Sequence, residues 1–298
     1  MSAFLGRIMD MLNISSLFTL MRPRQWSKNV LLMAAPFGAG DLFTGHEIRQ
    51  VTKAFIAFSF VSSACYIIND IRDAENDRLN VIKKNRPIAS RKVTVNQALI
   101  LSGLLSLLGF YTGTLLPKNF LLVLFAYFVM TNLYSFGLKN QPVIEFVIVA
   151  FGFAFRAIAG GSATDVPVTK WFLVVTGFGS LIIVISKRIA EAENSSHTST
   201  RKVLLAYPPG FLNLILAIAA SATLTAYSLW SFSLSQAHPY AQISLIPVTI
   251  GLFRYIWLVS YGHGESPEDL LFKDFYLIFC GITIAILLLL TFYPSVNQ

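Results

Sequence analysis

Between Tyr66 and Asp77 the chain turns from apolar to acidic. Tyr66, Asn69, Asp73 and Asp77 follow one another at steps of three, four and four, with Asp70 beside them. On a helix those steps share one face. Stacked like charges cost roughly a few tenths of a kcal/mol per pair unless a cation sits among them. Oxygen-only donors suit Mg2+, a hard ion that keeps several waters and is shared between one or two carboxylates and substrate phosphates. The stripe therefore points to a diphosphate held through Mg2+, with Asn69, Asp73 and Asp77 as ligands and Asp70 in support. The plainer alternative is that Asp70, Asp73 and Asp77 only pair with Arg72, Arg78, Lys83 and Lys84.

A diphosphate needs more positive charge than one Mg2+ supplies, and Lys83, Lys84, Arg86, Arg91 and Lys92 follow the stripe directly. Arginine favours two-pronged contacts to phosphate oxygens. Lys83 and Arg86 are the best placed, because they lie nearest the carboxylates and Pro87 fixes the chain just after Arg86. Each base taken singly also reads as a charge that sets membrane orientation.

The elements that must position these residues are membrane helices. Of the 298 residues 55% are hydrophobic and 13% charged, and the mean hydropathy of +0.63 is far too apolar for an ordinary soluble domain. The sequence predicts an all-α polytopic membrane protein with nine spans, near Val30–Asp41, Val51–Asn69, Gln97–Leu116, Phe120–Gly137, Val143–Gly161, Trp171–Ser186, Phe211–Ser233, Ile243–Tyr261 and Phe275–Phe292. The first is short and carries Pro36, Gly38 and Gly40. Of the 23 lysines and arginines, 17 fall in segments 1–29, 70–96, 138–142, 187–210 and 262–274. That asymmetry predicts a cytoplasmic N-terminus, an outside C-terminus and a plasma-membrane location with segments 70–96 and 187–210 as cytoplasmic active-site loops. Residues 1–23 read as an interfacial amphipathic helix stopped at Pro23, and residues 1–298 as one membrane domain. Cys65 and Cys280 both fall in predicted spans, which argues against a structural disulfide, and the scattered histidines show no zinc spacing. The basic balance reflects loops near anionic lipid and does not imply nucleic-acid binding.

Two arginines lie deeper. A charge near the bilayer centre costs about 2.5–3.5 kcal/mol on insertion scales, so Arg156 and Arg254 are expected to face a polar cavity or a partner. Glu145 shares a face with Arg156 but stands eleven residues away, about 16 Å along one helix, so Arg156 needs another partner. Tyr134 and Lys139 mark the end of the fourth span at the same entrance, and Lys28 enters from the first. Trp26 reads as an interface anchor. The 262–274 loop carries four carboxylates without a metal stripe and is a candidate lid.

The pattern Asn69-Asp70-x-x-Asp73-x-x-x-Asp77 resembles the first aspartate-rich motif of the UbiA superfamily of intramembrane prenyltransferases, whose helical bundle nine spans would match. The runs RPRQWSKNVLLMAAP (22–36), RPIAS (86–90), YSFGLKNQPVIEFVIVAFGFAFRAIAG (134–160) and SKRIAEAE (186–193) are similar to its decaprenyl-phosphate phosphoribosyltransferase branch, across nearly the whole chain. That resemblance implies Mg2+-dependent transfer of phosphoribosyl from phosphoribosyl diphosphate to a polyprenyl phosphate lipid on the cytoplasmic side, releasing diphosphate. One departure matters. Where typical members carry a second aspartate motif after the sixth span, this chain reads Lys187-Arg188-x-x-Glu191-x-Glu193. A lipid monophosphate needs direct cations, which Lys187 and Arg188 would supply; as bare sequence they also read as orienting charges.

The implied division of labour has Tyr66 and Lys28 orienting the ribosyl donor, Lys83 and Arg86 gripping its phosphates, and Lys187 and Arg188 attracting the lipid phosphate. Tyr134, Lys139 and Arg156 complete the expected substrate site. The rival enzyme is an aromatic prenyltransferase of the same superfamily using a polyprenyl diphosphate. From another class, a transporter would also carry charge within spans.

Overall fold

In a computed structural model the protein is described over residues 14–81, 83–193, 202–234, 239–263, 270 and 272–293. A short helix α1 (Ile14–Leu20) precedes a 3-10 helix (Pro23–Met33) and α2 (Ala34–Ala39). Then come α3 (Gly45–Leu79), α4 (Val95–Gly113), α5 (Lys118–Phe136), α6 (Ile144–Thr164), α7 (Lys170–Glu193) and α8 (Phe211–Ser233). The chain ends with α9 (Tyr240–Ile243), α10 (Leu245–Ser260) and α11 (Phe275–Phe292). Among the described residues there is no strand. Among the same residues eight helical stretches, with α9 and α10 counted as one, are long and apolar enough to cross a membrane. The all-helical, multi-span reading holds.

The first expected span, Val30–Asp41, is not a single long α-helix. It forms eleven residues of 3-10 helix and six of α-helix. At a rise of roughly 2.0 Å and 1.5 Å per residue the two reach about 31 Å, the thickness of a hydrocarbon core. A period of three explains the choice of helix. It sets Trp26, Asn29 and Leu32 on one face, where the Trp26 indole N–H donates to Ser63 Oγ at 3.0 Å and Asn29 Nδ2 to Ser59 Oγ at 2.9 Å. A 3.6-residue period would rotate that face away. Trp26, expected at the membrane interface, is half-buried here, its indole N–H bonded to α3.

The 3-10 helix lies against α6 because α6 carries glycine where the two meet. A Cβ built on Gly160 would stand 2.1 Å from the Leu32 carbonyl oxygen. On the other side, Gly109 of α4 lets α3 approach, its Cβ position being 2.6 Å from Val61 Cγ2. Around these contacts Phe58, Val61, Cys65, Phe120, Leu124 and Tyr127 form one core. A second core joins α6, α7, α8 and α10 through Phe146, Ile185, Leu216 and Val259.

Helix α3 has 35 residues, about 52 Å, so some 20 Å extends beyond a ~30 Å apolar core. Its acidic stretch lies in that extension. Thr44 caps its start by accepting from Glu47 N–H, and Arg78 in its last turn complements the helix dipole. The returning loop is held to this extension by apolar packing of Ile88 and Val93 with Ile67, Ala74 and Ala98. A capping box, Thr94 with Gln97, then starts α4. Of the expected interfacial helix 1–23, residues 14–23 are described, helical over Ile14–Leu20; residues 1–13 lie outside the described residues. The expected 187–210 loop begins later than anticipated: α7 continues through Lys187 and Arg188 to Glu193, because Ile185, Ile189 and Ala190 extend the buried face. Residues 194–201 of it lie outside the described residues.

Gly160→Ala is expected to lower stability by about 1–3 kcal/mol through overpacking against the Leu32 backbone. Gly177, whose added Cβ would meet nothing within 4 Å, is the control. Thermal unfolding in detergent should drop by several degrees for Gly160→Ala and stay unchanged for Gly177→Ala.

Candidate active site

The acids of α3 divide into two groups. Asn69 Nδ2 donates to Asp73 Oδ2 at 3.0 Å, and the Lys139 ammonium donates to Asp73 Oδ1 and, at 3.4 Å, to Asn69 Oδ1. Asp70 is gripped by Arg22, whose Nε donates to Oδ2 at 3.2 Å and whose Nη2 donates to Oδ1. Arg86 Nη1 then bridges Asp70 Oδ1 at 3.2 Å and Asp77 Oδ2 at 2.7 Å. Helix geometry accounts for the split. Each four-residue step drifts about 40°, so Asp73 stays near Asn69 while Asp77 arrives close to Asp70. Asp70, Asp73 and Asp77 pair with Arg22, Arg86 and Lys139, bases that the plainer ion-pair reading did not name.

Arg22 was not anticipated as a site residue. Its φ of 55° and ψ of 58° are left-handed, unusual for any residue with a Cβ and more so before proline. Such a conformation costs on the order of 1–3 kcal/mol and persists where the surroundings hold it. Here the two bonds to Asp70 hold it, and its guanidinium lies over the Tyr66 ring at 5.6 Å to the centroid. Its signal in the sequence was its place at the head of the 22–36 run.

Lys139 arrives on a short turn, Leu138–Asn140, between α5 and α6. The turn ends in a tight three-residue bend: Ile144 N–H donates to Pro142 O at 2.8 Å, with Val143 at φ 66° and ψ −51°. That is the rarer, strained hand of γ-turn on a β-branched residue. The Val143 N–H donates to the Tyr207 hydroxyl at 2.9 Å, tying the bend to the short helix Lys202–Ala206 and its flank.

Two residues beyond the bend, Glu145 is wholly buried and receives Arg188 on both oxygens, with contacts of 2.8 Å and 3.0 Å from Nε and 2.8 Å from Nη2. Arg188 Nη1 also reaches Glu191 at 2.9 Å. The place of the superfamily's second acidic motif therefore holds an internal ion pair joining α6 and α7. Glu145 was the partner not foreseen for Arg188. Tyr134, in the last turn of α5, is within electrostatic reach of Arg188.

Arg156 has no carboxylate partner among the described residues. Its Nε donates to Asn29 Oδ1 at 2.8 Å, Nη1 to Gly152 O at 2.6 Å and Nη2 to Tyr127 Oη at 3.2 Å. Phe58, Tyr127 and Phe153 surround its guanidinium at 5.0–6.0 Å. It thus ties the 3-10 helix to α5 and α6 beside Lys28, whose ammonium lies 5.7 Å from the Phe153 ring centre. Lys83 opens the short turn Lys83–Asn85, its N–H donating to Asn80 Oδ1 at 3.0 Å. Lys187 lies in the closing turns of α7. Arg254 belongs elsewhere. It pairs with Asp274, Nη2 to Oδ2 2.7 Å, between the Trp257 and Tyr276 rings. Those hydrogen bonds, with the Leu277 N–H, hold the Asp274 carboxyl below its usual range. Most of the 262–274 loop lies outside the described residues.

Among the described residues no three His, Cys, Asp or Glu side chains converge on one point. The donor set still fits Mg2+. Asn69 Oδ1 and one Asp73 oxygen already share a cation, the Lys139 ammonium, and an ion completed by water and phosphate needs few protein oxygens. Two apolar cavities, about 450 Å³ between α6 and α7 and about 490 Å³ lined by Phe37, Phe172, Trp230 and Phe292, lie apart from this chemistry.

Residues 30–279 match the family described as the UbiA prenyltransferase family. Decaprenyl-phosphate phosphoribosyltransferase of Mycolicibacterium smegmatis is 36% identical over 277 residues, 88% of this chain and 87% of that protein. The enzyme of the same name from Corynebacterium glutamicum is 39% identical over 264 residues, 85% of this chain and 80% of that protein. In fold, the chain is similar to a UbiA homolog from Archaeoglobus fulgidus bound to GPP and Mg2+, with a TM-score of 0.72, 16% identity and coverage of 95% of this chain and 100% of that one.

Arg188→Met strands the Glu145 carboxylate in the interior and is expected to cost about 3–5 kcal/mol, whereas Arg188→Met with Glu145→Gln removes both charges and should recover most of it. Thermal unfolding of the two variants in the same detergent measures the difference.

Proposed function

The chain belongs to the UbiA prenyltransferase family, and from that premise we propose that it transfers the 5-phosphoribosyl group of phosphoribosyl diphosphate to a polyprenyl phosphate, releasing diphosphate. The observation that carries this reading is the pairing at the second acidic position. Transfer from a prenyl diphosphate between two acidic motifs needs carboxylates on both sides; here α7 offers Lys187, and Glu145 and Arg188 neutralise each other. The same position weighs against the aromatic prenyltransferase reading. The extent of identity to two phosphoribosyltransferases supports the same conclusion.

Asn69 and Asp73 would hold Mg2+, with Asp77 joining them when Arg86 turns to phosphate and Asp70 keeping Arg22 and Arg86 in place. Bound there, Mg2+ supplies a hard cation against the negative charge that develops on the departing diphosphate. Arg86, Lys83 and Lys139 contribute further cations to the same phosphates. Arg86 is 28% exposed at its side chain, so its guanidinium is open to a ligand while still anchored to two carboxylates.

As the bond from the anomeric carbon to diphosphate lengthens, positive charge builds on the ribose ring. Tyr66 and Lys28 orient that ring, and Arg156 acts at one remove, through Asn29, by fixing the 3-10 helix that carries Lys28. Lys187 draws the lipid phosphate, and Arg188, buried and bonded to Glu145 and Glu191, fixes the end of α7 that carries Lys187. The lipid phosphate oxygen attacks from the face opposite the leaving group, inverting the anomeric centre. Already an anion at neutral pH, this nucleophile needs no general base. The concentration of 17 of 23 lysines and arginines in the segments expected on one side supports a site at the cytoplasmic face of the plasma membrane.

With purified protein, Mg2+ and a polyprenyl phosphate, label from phosphoribosyl diphosphate should pass into an organic-extractable lipid. Chelation should abolish transfer and Mg2+ restore it. Asp73→Asn should still fold, its melting temperature lowered by no more than a few degrees, yet lose roughly a hundredfold or more in rate. No labelled lipid, with consumption of a prenyl diphosphate by an aromatic acceptor instead, would contradict the proposal.

A further inference from the structure

Lys139 occupies the oxygens that the metal reading assigns to Mg2+. Its ammonium is bonded to Asp73 Oδ1 and lies 3.4 Å from Asn69 Oδ1. The contact is sheltered: the two side chains are 15% and 25% exposed. An ammonium and a divalent cation cannot share the same lone pairs at this range, because they repel each other and compete for the same charge. The turn carrying Lys139 is also held under constraint. It runs from the end of α5 to the strained bend at Val143, whose N–H is fastened to Tyr207.

We propose that Lys139 is an exchangeable internal counter-ion, displaced from Asn69 and Asp73 when the metal binds and transferred to the diphosphate that arrives with it. This rests on the assignment of Asn69 and Asp73 as metal ligands and goes beyond it. The exchange makes metal binding and donor binding interdependent. Metal alone must evict an ammonium into a site with no new anion for it, so it binds weakly. Diphosphate gives the released ammonium a partner, so metal and diphosphate each strengthen the other's binding, and by linkage the two enhancements are equal. The acids are meanwhile never left without a cation, which keeps the end of α3 and the Leu138–Asn140 turn together in the empty enzyme.

The test is Mn2+ binding to the full-length protein in detergent, followed by electron paramagnetic resonance with and without inorganic diphosphate. Lys139→Met should bind Mn2+ at least tenfold more tightly than wild type when diphosphate is absent, a gain that damage to the fold would not produce. Adding diphosphate should tighten wild type at least tenfold and Lys139→Met much less. Lys139→Arg, which keeps the competing charge, should stay near wild type without diphosphate. Asp73→Asn is the control for the underlying assignment. If Asp73→Asn loses Mn2+ while Lys139→Met binds it no better than wild type, the exchange is wrong and the metal assignment stands. If Asp73→Asn binds Mn2+ as wild type does, both fall.

Discussion

Charge neutrality at the end of α3 is the constraint on which the rest of this molecule depends. Three aspartates emerge within eight residues at the edge of an apolar bundle, where low dielectric makes unpaired charge costly. The protein meets this with three bases from three different segments: Arg22 ahead of the 3-10 helix, Arg86 in the loop after α3, and Lys139 between α5 and α6. Each base is at least partly exposed, and each is of a type that also binds phosphate. The network that stabilises the empty protein is therefore built from groups able to turn to an anionic substrate.

That requirement shapes the fold around it. Arg22 meets Asp70 because the 3-10 helix runs beside α3 in the opposite direction, bonding Ser63 through Trp26 and Ser59 through Asn29. The helix in turn sits close to α6 because of Gly160, and Arg156 bonds it to α5 and α6 without bringing in a carboxylate. On the far side, Glu145 and Arg188 lock α6 to α7 and settle where the opposing wall of the site stands. In this chain the acid of that wall is already neutralised from within.

Much of this was legible in the residues. Eight of the expected crossings follow from apolar run length alone, and Tyr66, Asn69, Asp73 and Asp77 were readable as a helical stripe beyond the membrane edge. Three things were not. The 3-10 segment escaped because length rules assume 1.5 Å per residue, and its three-residue period is visible only once Trp26, Asn29 and Leu32 are seen to share a face. The division of the stripe into Asn69 with Asp73 and Asp70 with Asp77 arises from a rotation of about 40° per step, too small to decide partners without the neighbouring elements. Long-range pairs were out of reach altogether: Arg22 lies 48 residues before Asp70, and Glu145 43 residues before Arg188.

The most direct measurement is a structure of the protein soaked with Mn2+ and phosphoribosyl diphosphate, the metal located by its anomalous scattering. The account predicts Mn2+ between Asn69 and Asp73, bridged to the diphosphate, with the Lys139 ammonium moved onto phosphate oxygens and Arg188 still seated on Glu145. Metal and donor bound away from Asn69 and Asp73, with Lys139 unmoved on Asp73, would contradict it.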